Sequence, residues 1–219
     1  MKKILVIAPH PDDETLGCGG TLLKHKNQKD KIYCLFITNL SPRHKYFKKR
    51  KKEIENVAKS FKFDGYVLGK FQPSSLEKQP KKKVIEFIGN FIKKIQPNKL
   101  LVPFPHDAHR DHKVCFDSCS IFFKSFRYNY IKEVWIYETL SETNFSENYS
   151  PFAFKPNTWV DINKFLKKKI DIFSNYKTEI NPHPFPRSIK AIKSQALLRG
   201  SYANVKYAEA FQLIREVKR

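Results

Sequence analysis

The sequence predicts an α/β fold in which helices cover both faces of one sheet. Short, wholly apolar segments alternate with amphipathic segments up to about Thr139. Strands that are apolar on both sides are typical of parallel sheets buried between two helical layers. The length of 219 residues, at roughly 150 residues per domain, favours a single domain over residues 1–219. The pattern therefore predicts a three-layer sandwich of Rossmann-like topology with a mostly parallel sheet.

The first part of the chain carries the regular alternation. Five strands are predicted, at residues 4–8, 31–38, 66–68, 100–102 and 134–137. Four helices are predicted with them, at residues 15–26, 47–61, 84–95 and 114–123. In the second helix, Ile54, Val57 and Phe61 recur at the spacing of one helical face.

Beyond Thr139 the alternation is less regular. Polar and aromatic residues at 141–157 predict a long surface loop. The remaining predicted elements are a strand, a helix, a proline-rich turn and two helices, at residues 159–160, 165–176, 181–186, 188–198 and 207–217. We expect this strand and these helices to pack on the same domain.

Composition excludes several classes of protein. Apolar residues make up 41% of the chain and aromatic residues 14%, which excludes a disordered chain. No apolar run reaches the ~18 residues of a membrane-spanning helix, and the stretch after Met1 is too short for a signal peptide. The four cysteines form no Cys-x-x-Cys pair and are too few for a disulfide framework. We expect a cytoplasmic protein without a membrane span.

The charge balance is strongly basic. With 42 Lys and Arg against 21 Asp and Glu, the formal net charge is +21. Such a charge attracts nucleic acid, anionic membrane surfaces and phosphorylated substrates. The lysines are nevertheless spread over nearly every segment, as at 48–52, 81–83 and 167–169, where predicted helices expose solvated faces. We therefore expect no nucleic-acid partner, while peripheral surface association and a homo-oligomer stay open.

A histidine and three carboxylates directly follow the first predicted strand, in the run of residues 10–14. Carboxylates are costly at the end of a buried strand unless a cation or a helix N-terminus compensates them. Asp12 or Asp13 is an ordinary helix N-cap residue, but a cap uses one carboxylate and leaves His10 unexplained. The run therefore favours a metal or catalytic site over an acidic cap.

A second cluster follows the fourth predicted strand, where residues 106–112 contain three histidines and two aspartates. Ligands of parallel sheets bind beyond the carboxyl ends of the strands, near the point where the strand order reverses. Imidazole and carboxylate together suit zinc, with a position left open for water in a catalytic site. Two such clusters on strands predicted to be neighbours predict a metal site.

Three glycines, Gly17, Gly19 and Gly20, lie just after the first cluster. The stretch lacks the third glycine of a dinucleotide-binding fingerprint and the Gly-Lys-Ser/Thr of a phosphate loop. We interpret it as close packing of the first helix on the sheet.

The two clusters resemble the motifs of the PIG-L/LmbE-like family, metal-dependent N-deacetylases of N-acetylglucosamine conjugates. The motif Ala/Pro-His-Pro-Asp-Asp-Glu appears at residues 9–14, and His-x-Asp-His appears at 109–112. Weaker matches are Arg-x-x-Glu at 50–53 and the Tyr-Ala-Glu-Ala-Phe ending at 207–211. Many members carry Ser-Gln with a nearby His where residues 176–179 read Tyr-Lys-Thr-Glu.

The resemblance implies a ligand set and a base. His10, Asp13 and His112 would ligate Zn²⁺, or another divalent transition metal such as Fe²⁺, with one position open for water. Asp12 would be the general base that completes deprotonation of this water.

The resemblance also implies roles around the reacting amide. Asp111 would orient His109 and favour its charged form, which would stabilise the oxyanion together with the metal. Asp12 or His109 would deliver the proton to the departing amine. Three residues are expected to bind the substrate, namely Arg50, Glu14 and Asp107.

The predicted function is hydrolytic removal of an N-acetyl group from an N-acetylglucosamine-type amino-sugar conjugate, with release of acetate. The conjugate is expected to carry an oxygen-rich or anionic group, because the guanidinium of Arg50 suits a carboxylate or a phosphate. Two alternatives stay open. In the first, the chain is a zinc amidase that acts on another N-acyl or thiol-conjugate amide. In the second, it is a basic nucleic-acid-binding protein whose acidic run caps a helix.

Overall fold

The computed structural model describes residues 1–146 and 151–218. Its strands are β1 Lys3–Ala8, β2 Lys31–Thr38, β3 Gly65–Phe71, β4 Lys99–Pro103, β5 Glu133–Tyr137, β6 Thr158–Asp161 and β7 Ala208–Glu216. Its α-helices are α1 Asp13–Asn27, α2 Phe47–Phe61, α3 Lys81–Ile95, α4 Arg110–Cys119, α5 Leu166–Phe173 and α6 Ile189–Tyr202. Short 3₁₀ turns span Leu76–Lys78, Ser120–Phe123 and Thr143–Phe145.

The described strands form one sheet in the order β3-β2-β1-β4-β5-β7-β6. β1 pairs in parallel with β2 on one side and with β4 on the other. The strand order therefore reverses at β1, the place where α/β sheets bind their ligands. Among the described strands, β7 alone runs opposite to the rest of the sheet, pairing antiparallel with β5 and β6. The predicted mostly parallel α/β sheet is confirmed.

Two apolar cores cover the two faces of the sheet. Alternate residues of β1 point to opposite faces, as the two-residue period of a strand requires. Ile4 and Val6 pack with apolar residues of α1, α2, α5 and α6, whereas Leu5 and Ile7 pack with those of α3 and α4. These β1 side chains are fully buried. The arrangement is the predicted three-layer sandwich.

The last segment differs from the prediction. Residues 207–217 were expected to form a helix, but residues 208–216 form β7, inserted between β5 and β6. Phe211 of this strand is fully buried, and its ring centroid lies 5.2 Å from that of Trp135 on β5. Pairing with two strands and this burial outweigh the local helix preference of the sequence. The helical prediction is wrong.

The remaining predicted elements fall near their expected positions. In the loop expected at 141–157, residues 143–145 form a 3₁₀ turn, and residues 147–150 lie outside the described residues. The expected close packing of the glycine stretch is confirmed, because a Cβ on Gly17 would lie 2.3 Å from the ring of Tyr137 and one on Gly20 would lie 2.6 Å from Ile162. The four cysteines are buried thiols. In the described ranges, no helix combines the length and the apolar character that crossing a bilayer requires.

Candidate active site

The two predicted clusters meet at the carboxyl ends of β1 and β4. Because these strands are hydrogen-bonded neighbours, the segment after each strand ends at the same edge of the sheet. Asp13 lies between the rings of His10 and His112. Its Oδ2 is 3.4 Å from Nδ1 of His10 and 3.3 Å from Nε2 of His112. Residues nearly one hundred positions apart thus form one polar group.

His10, Asp13 and His112 are suitably arranged to hold a metal ion. Each offers one ligand atom, and these atoms lie within 4.8 Å of one another. Nε2 of His112 is buried and makes no well-aligned hydrogen bond among the described residues, although Oδ2 of Asp13 lies 3.3 Å from it. A buried polar atom is costly unless it is satisfied, and a cation held between this nitrogen and Asp13 would interact with both.

Asp107 orients His112 from behind. Its Oδ2 lies 2.7 Å from Nδ1 of His112, and its Oδ1 accepts a hydrogen bond of 2.5 Å from the Thr143 hydroxyl. The Asp107 side chain is fully buried, and the residue does not line the cavity described below. The structure therefore places Asp107 against His112, and the substrate contact expected of Asp107 stays a prediction.

The charges of the group depend on one another. Burial alone would lower the pKa of His10, but hydrogen bonds to Asp111 and Asp13 raise it to about 9. The pKa of His112 is likewise raised, because Asp13 and Asp107 outweigh burial. Burial opposes ionisation of Asp13, but the two imidazolium groups hold its pKa far below the usual range. The surroundings of Asp13 thus favour positive charge on His10 and His112, which is the kind of site that also suits a metal cation.

Asp12 lies beside this group in an unusual backbone conformation. Its φ is 139°, a region that non-glycine residues seldom adopt, and its N–H donates to Oε2 of Glu14 at 3.0 Å. Burial and the charge of Asp13 raise the pKa of Asp12 to about 7, although Arg187 and Arg50 act in the opposite direction. Strained backbone of this kind persists only where its surroundings fix it.

Glu14 is one of the groups that hold the backbone of Asp12 in this conformation. Its carboxylate is fully buried and accepts hydrogen bonds from the hydroxyls of Thr15 at 2.5 Å and Tyr176 at 2.9 Å. Burial raises its pKa to about 7. It is not among the residues that line the cavity, and its described contact on that side is with the N–H of Asp12, so the expected substrate contact stays a prediction.

Asp111 and His109 lie on the other side of His10. The Asp111 carboxylate lies 3.0 Å from Nε2 of His10 and accepts the N–H groups of Ser74 and Leu76. These hydrogen bonds orient His10, while the charge of Asp111 also acts to raise the pKa of His109, the direction expected from the sequence. His109 caps α4, with its Nδ1 accepting the N–H of Asp111 at 3.1 Å. Burial and the charges of His10 and His112 lower the pKa of His109 to about 4, which favours the neutral ring over the charged form expected.

A cavity of about 240 Å³ opens above these residues. His10, Asp12, Asp13 and His109 reach its wall. The other lining residues are Pro11, Leu16, Asn39, Leu40, Arg50, Pro73, Thr139, Ser141, Glu142, Glu179 and Arg187.

Arg50 lies on this wall with its guanidinium nearly buried, at 10% exposure. Its Nη1 donates to the carbonyl of Pro11 at 3.0 Å, and its Nη2 donates to the Thr178 hydroxyl at 2.7 Å and to Glu179. Sequence reasoning missed Glu179 and its second partner, Arg187. No motif marks either residue, and only the departure from the family pattern at 176–179 pointed to this segment.

Comparison with known proteins agrees with this geometry. The family model described as PIG-L, GlcNAc-PI de-N-acetylase, matches residues 5–120. The chain belongs to the PIG-L family. The match contains both clusters and Arg50, so the PIG-L region contributes the whole of the His10, Asp13 and His112 group.

Similar proteins align with nearly the whole of this PIG-L chain, including the part beyond the family match. The diacetylchitobiose deacetylase of Thermococcus kodakarensis is 24% identical over 98% of this chain and 84% of its own length. The N,N'-diacetylchitobiose deacetylase of Pyrococcus horikoshii superposes with a TM-score of 0.75 at 20% identity, over 98% of this chain and 84% of that one.

The same fold also carries a different reaction. The 4-carboxy-2-hydroxymuconate hydratase of Pseudomonas putida KT2440 superposes with a TM-score of 0.75 at 17% identity, over 100% of this chain and 98% of that one. Likeness at these identities shows the fold, and the reaction has to be argued from the site.

Proposed function

We propose that this protein is a metal-dependent N-deacetylase that hydrolyses the acetamide of an N-acetylglucosamine-type sugar and releases acetate. The observation that carries the proposal is the buried Nε2 of His112 beside Asp13 and His10, with the Asp12 carboxylate at the same cavity. A cation site next to a base is suited to metal-assisted hydrolysis of an amide by water. Membership of the PIG-L family supports the same reaction.

His10, Asp13 and His112 would hold the metal, zinc in the first place. When bound, the ion would polarise the acetyl carbonyl and lower the pKa of water towards ~7. The two histidines fit this task because in each ring the nitrogen that faces away from Asp13 already has a carboxylate partner. Asp107 holds Nδ1 of His112 and Asp111 holds Nε2 of His10, which leaves the opposite ring nitrogens directed at Asp13.

Asp12 is the proposed general base. Its pKa near 7 suits a group that takes a proton from the attacking water and returns it to the departing amine nitrogen. The sequence left Asp12 and His109 open as the proton donor. The lowered pKa of His109 favours Asp12.

Neutral His109 has a different proposed role. Because its Nδ1 accepts a backbone N–H, its Nε2 carries the ring proton. A neutral imidazole N–H at the cavity wall can donate a hydrogen bond to the oxyanion that develops on the acetyl oxygen.

The substrate assignment rests on the relatives. The matched relative is a deacetylase named for diacetylchitobiose, and the family description names a GlcNAc conjugate, so both point to an acetylated amino sugar. Release of acetate from a panel of N-acetyl sugars tests this proposal. An enzyme that cleaves another amide, or a hydratase, would release no acetate from these sugars.

Substitutions separate metal binding from base catalysis. Asp12→Asn should retain metal and lose about 10²–10⁴-fold in turnover, because only the base is removed. Asp13→Ala and His112→Ala should lose metal and turnover together. Metal content measured by atomic absorption beside acetate release checks both expectations. Loss of metal in Asp12→Asn would exchange the roles of Asp12 and Asp13, and full turnover in that variant would exclude Asp12 as the base.

A further inference from the structure

One wall of the cavity is built by two arginines that share a carboxylate. Oε1 of Glu179 pairs with Nη2 of Arg50, and Oε2 accepts a hydrogen bond of 3.0 Å from Nη2 of Arg187. All three residues line the cavity. Their side chains are between 10% and 22% exposed, so solvent screens these charges only in part.

The charges of this wall cancel. Nε of Arg50 also lies 3.5 Å from Oε2 of Glu53, which is buried. Glu53 does not line the cavity but lies against Arg50, so the two guanidinium groups and the two carboxylates together carry no net charge. An anionic group that enters the cavity would gain little net attraction from these four residues and would approach the carboxylate of Glu179.

The guanidinium groups are also held in place by neutral acceptors. Arg187 donates from Nη1 to the Ser141 hydroxyl at 3.0 Å and from Nε to the Glu179 carbonyl at 3.1 Å. Arg50 donates to the carbonyl of Pro11. A guanidinium has five N–H donors, so these contacts leave some of them for a ligand. Fixed N–H donors on a neutral wall suit sugar hydroxyls, which accept hydrogen bonds without carrying charge.

We propose that Glu179 is a specificity-determining residue that neutralises Arg50 and Arg187, so that the cavity selects an uncharged amino sugar over an anionic conjugate. This inference rests on the proposed function and names its substrate class. It replaces the anionic group that the sequence alone suggested for Arg50, because the sequence did not show that a carboxylate already occupies that guanidinium.

The test compares two sugars that differ by one anionic group, N-acetylglucosamine and N-acetylglucosamine 6-phosphate. The zinc-loaded wild-type protein should prefer the neutral sugar in kcat/KM. Glu179→Gln removes the charge with little change of shape and should raise the ratio of phosphorylated to neutral sugar by about tenfold, as one partly screened charge implies. Glu179→Asp keeps the charge and should leave the ratio near that of the wild type.

Glu55→Gln is the matched control, because it removes the same charge from an exposed position on α2, the helix that carries Arg50. It should leave the ratio unchanged. A purely structural role of Glu179 would lower both kcat/KM values equally in Glu179→Gln. An unchanged ratio in that variant, or a wild-type protein that prefers the phosphorylated sugar, overturns the inference.

Binding separates this inference from the proposed function. If the wild-type protein releases acetate from neither of these two sugars nor from any other N-acetyl sugar of the panel, deacetylation of amino sugars is wrong. The dissociation constants of the same two sugars, measured by calorimetry, then give the ratio for wild type and Glu179→Gln. A shift of about tenfold supports the inference without the reaction, whereas equal ratios or no binding of either sugar overturn it.

Discussion

His112 illustrates how the orientation of one side chain depends on another that lies outside the cavity. Its Nε2 is directed at Asp13, while Asp107 fixes Nδ1 from a fully buried position. Without Asp107 the imidazole could rotate or change tautomer, and the nitrogen offered to a metal would no longer be fixed. Such outer contacts typically contribute a factor of about 10–100 to metal affinity.

We therefore expect Asp107→Ala to weaken zinc binding by about 10–100-fold. Asp107→Asn should have a smaller effect, since an amide oxygen still accepts a hydrogen bond from Nδ1. Competition with a chromophoric chelator measures the affinity, and Asp171→Ala, at an exposed position of α5, is the control. Wild-type affinity in Asp107→Ala would show that His112 needs no such support.

At the scale of elements, β7 connects two helices to the sheet beneath the site. α1 is kinked at Cys18, whose φ of −143° is not helical. The N–H groups of Gly20 and Thr21 donate instead to the two carboxylate oxygens of Glu209 on β7. Lys169 of α5 pairs with Glu209 at 2.7 Å. The helix that begins with Asp13 is thus anchored by the strand that the sequence predicted as a helix.

Removing one partner of this buried pair should be strongly destabilising. Lys169→Met and Glu209→Gln should each lower the free energy of unfolding by about 3–5 kcal/mol, because each leaves a buried group uncompensated. The double variant should lose less than the sum of the two. Urea unfolding measures these values.

Lys168→Met, at the exposed neighbouring position, is the control and should change stability by less than about 0.5 kcal/mol. Additive losses in the double variant would mean that Lys169 and Glu209 act independently.

For the whole molecule, a bound metal should act as a stabilising ligand. At one hundred times its dissociation constant, a ligand that binds only the folded state contributes about 2.7 kcal/mol. For a protein of this length, each kcal/mol shifts Tm by about 2–4 °C. Removing the metal with a chelator should therefore lower Tm by roughly 5–10 °C.

The same shift should be nearly absent in His112→Ala, which lacks one proposed ligand. It should also shrink as the pH falls, because the pKa of His10 is raised to about 9 and a metal must displace that proton. Calorimetry with and without chelator at several pH values measures the shift. An equal shift in wild type and His112→Ala would place the stabilising metal elsewhere.

The sequence by itself determined most of the sheet and the meeting of the two clusters. Apolar periodicity is a local property, so it located β1, β2, β4 and β5 and the helices between them. Since the carboxyl ends of neighbouring parallel strands share one edge of a sheet, residues 10–14 and 106–112 were expected to meet there, and they do.

Tertiary structure alone decided which side chains face the cavity and which support it. Glu14 is bonded to Tyr176, 162 positions away, and Glu209 accepts N–H groups of α1 from 189 positions away. Arg50 donates a hydrogen bond to Glu179, which is 129 positions away in the sequence. Hydrogen bonds of this kind leave no periodic pattern in the sequence, because they depend on how distant elements pack and not on the local order of residues.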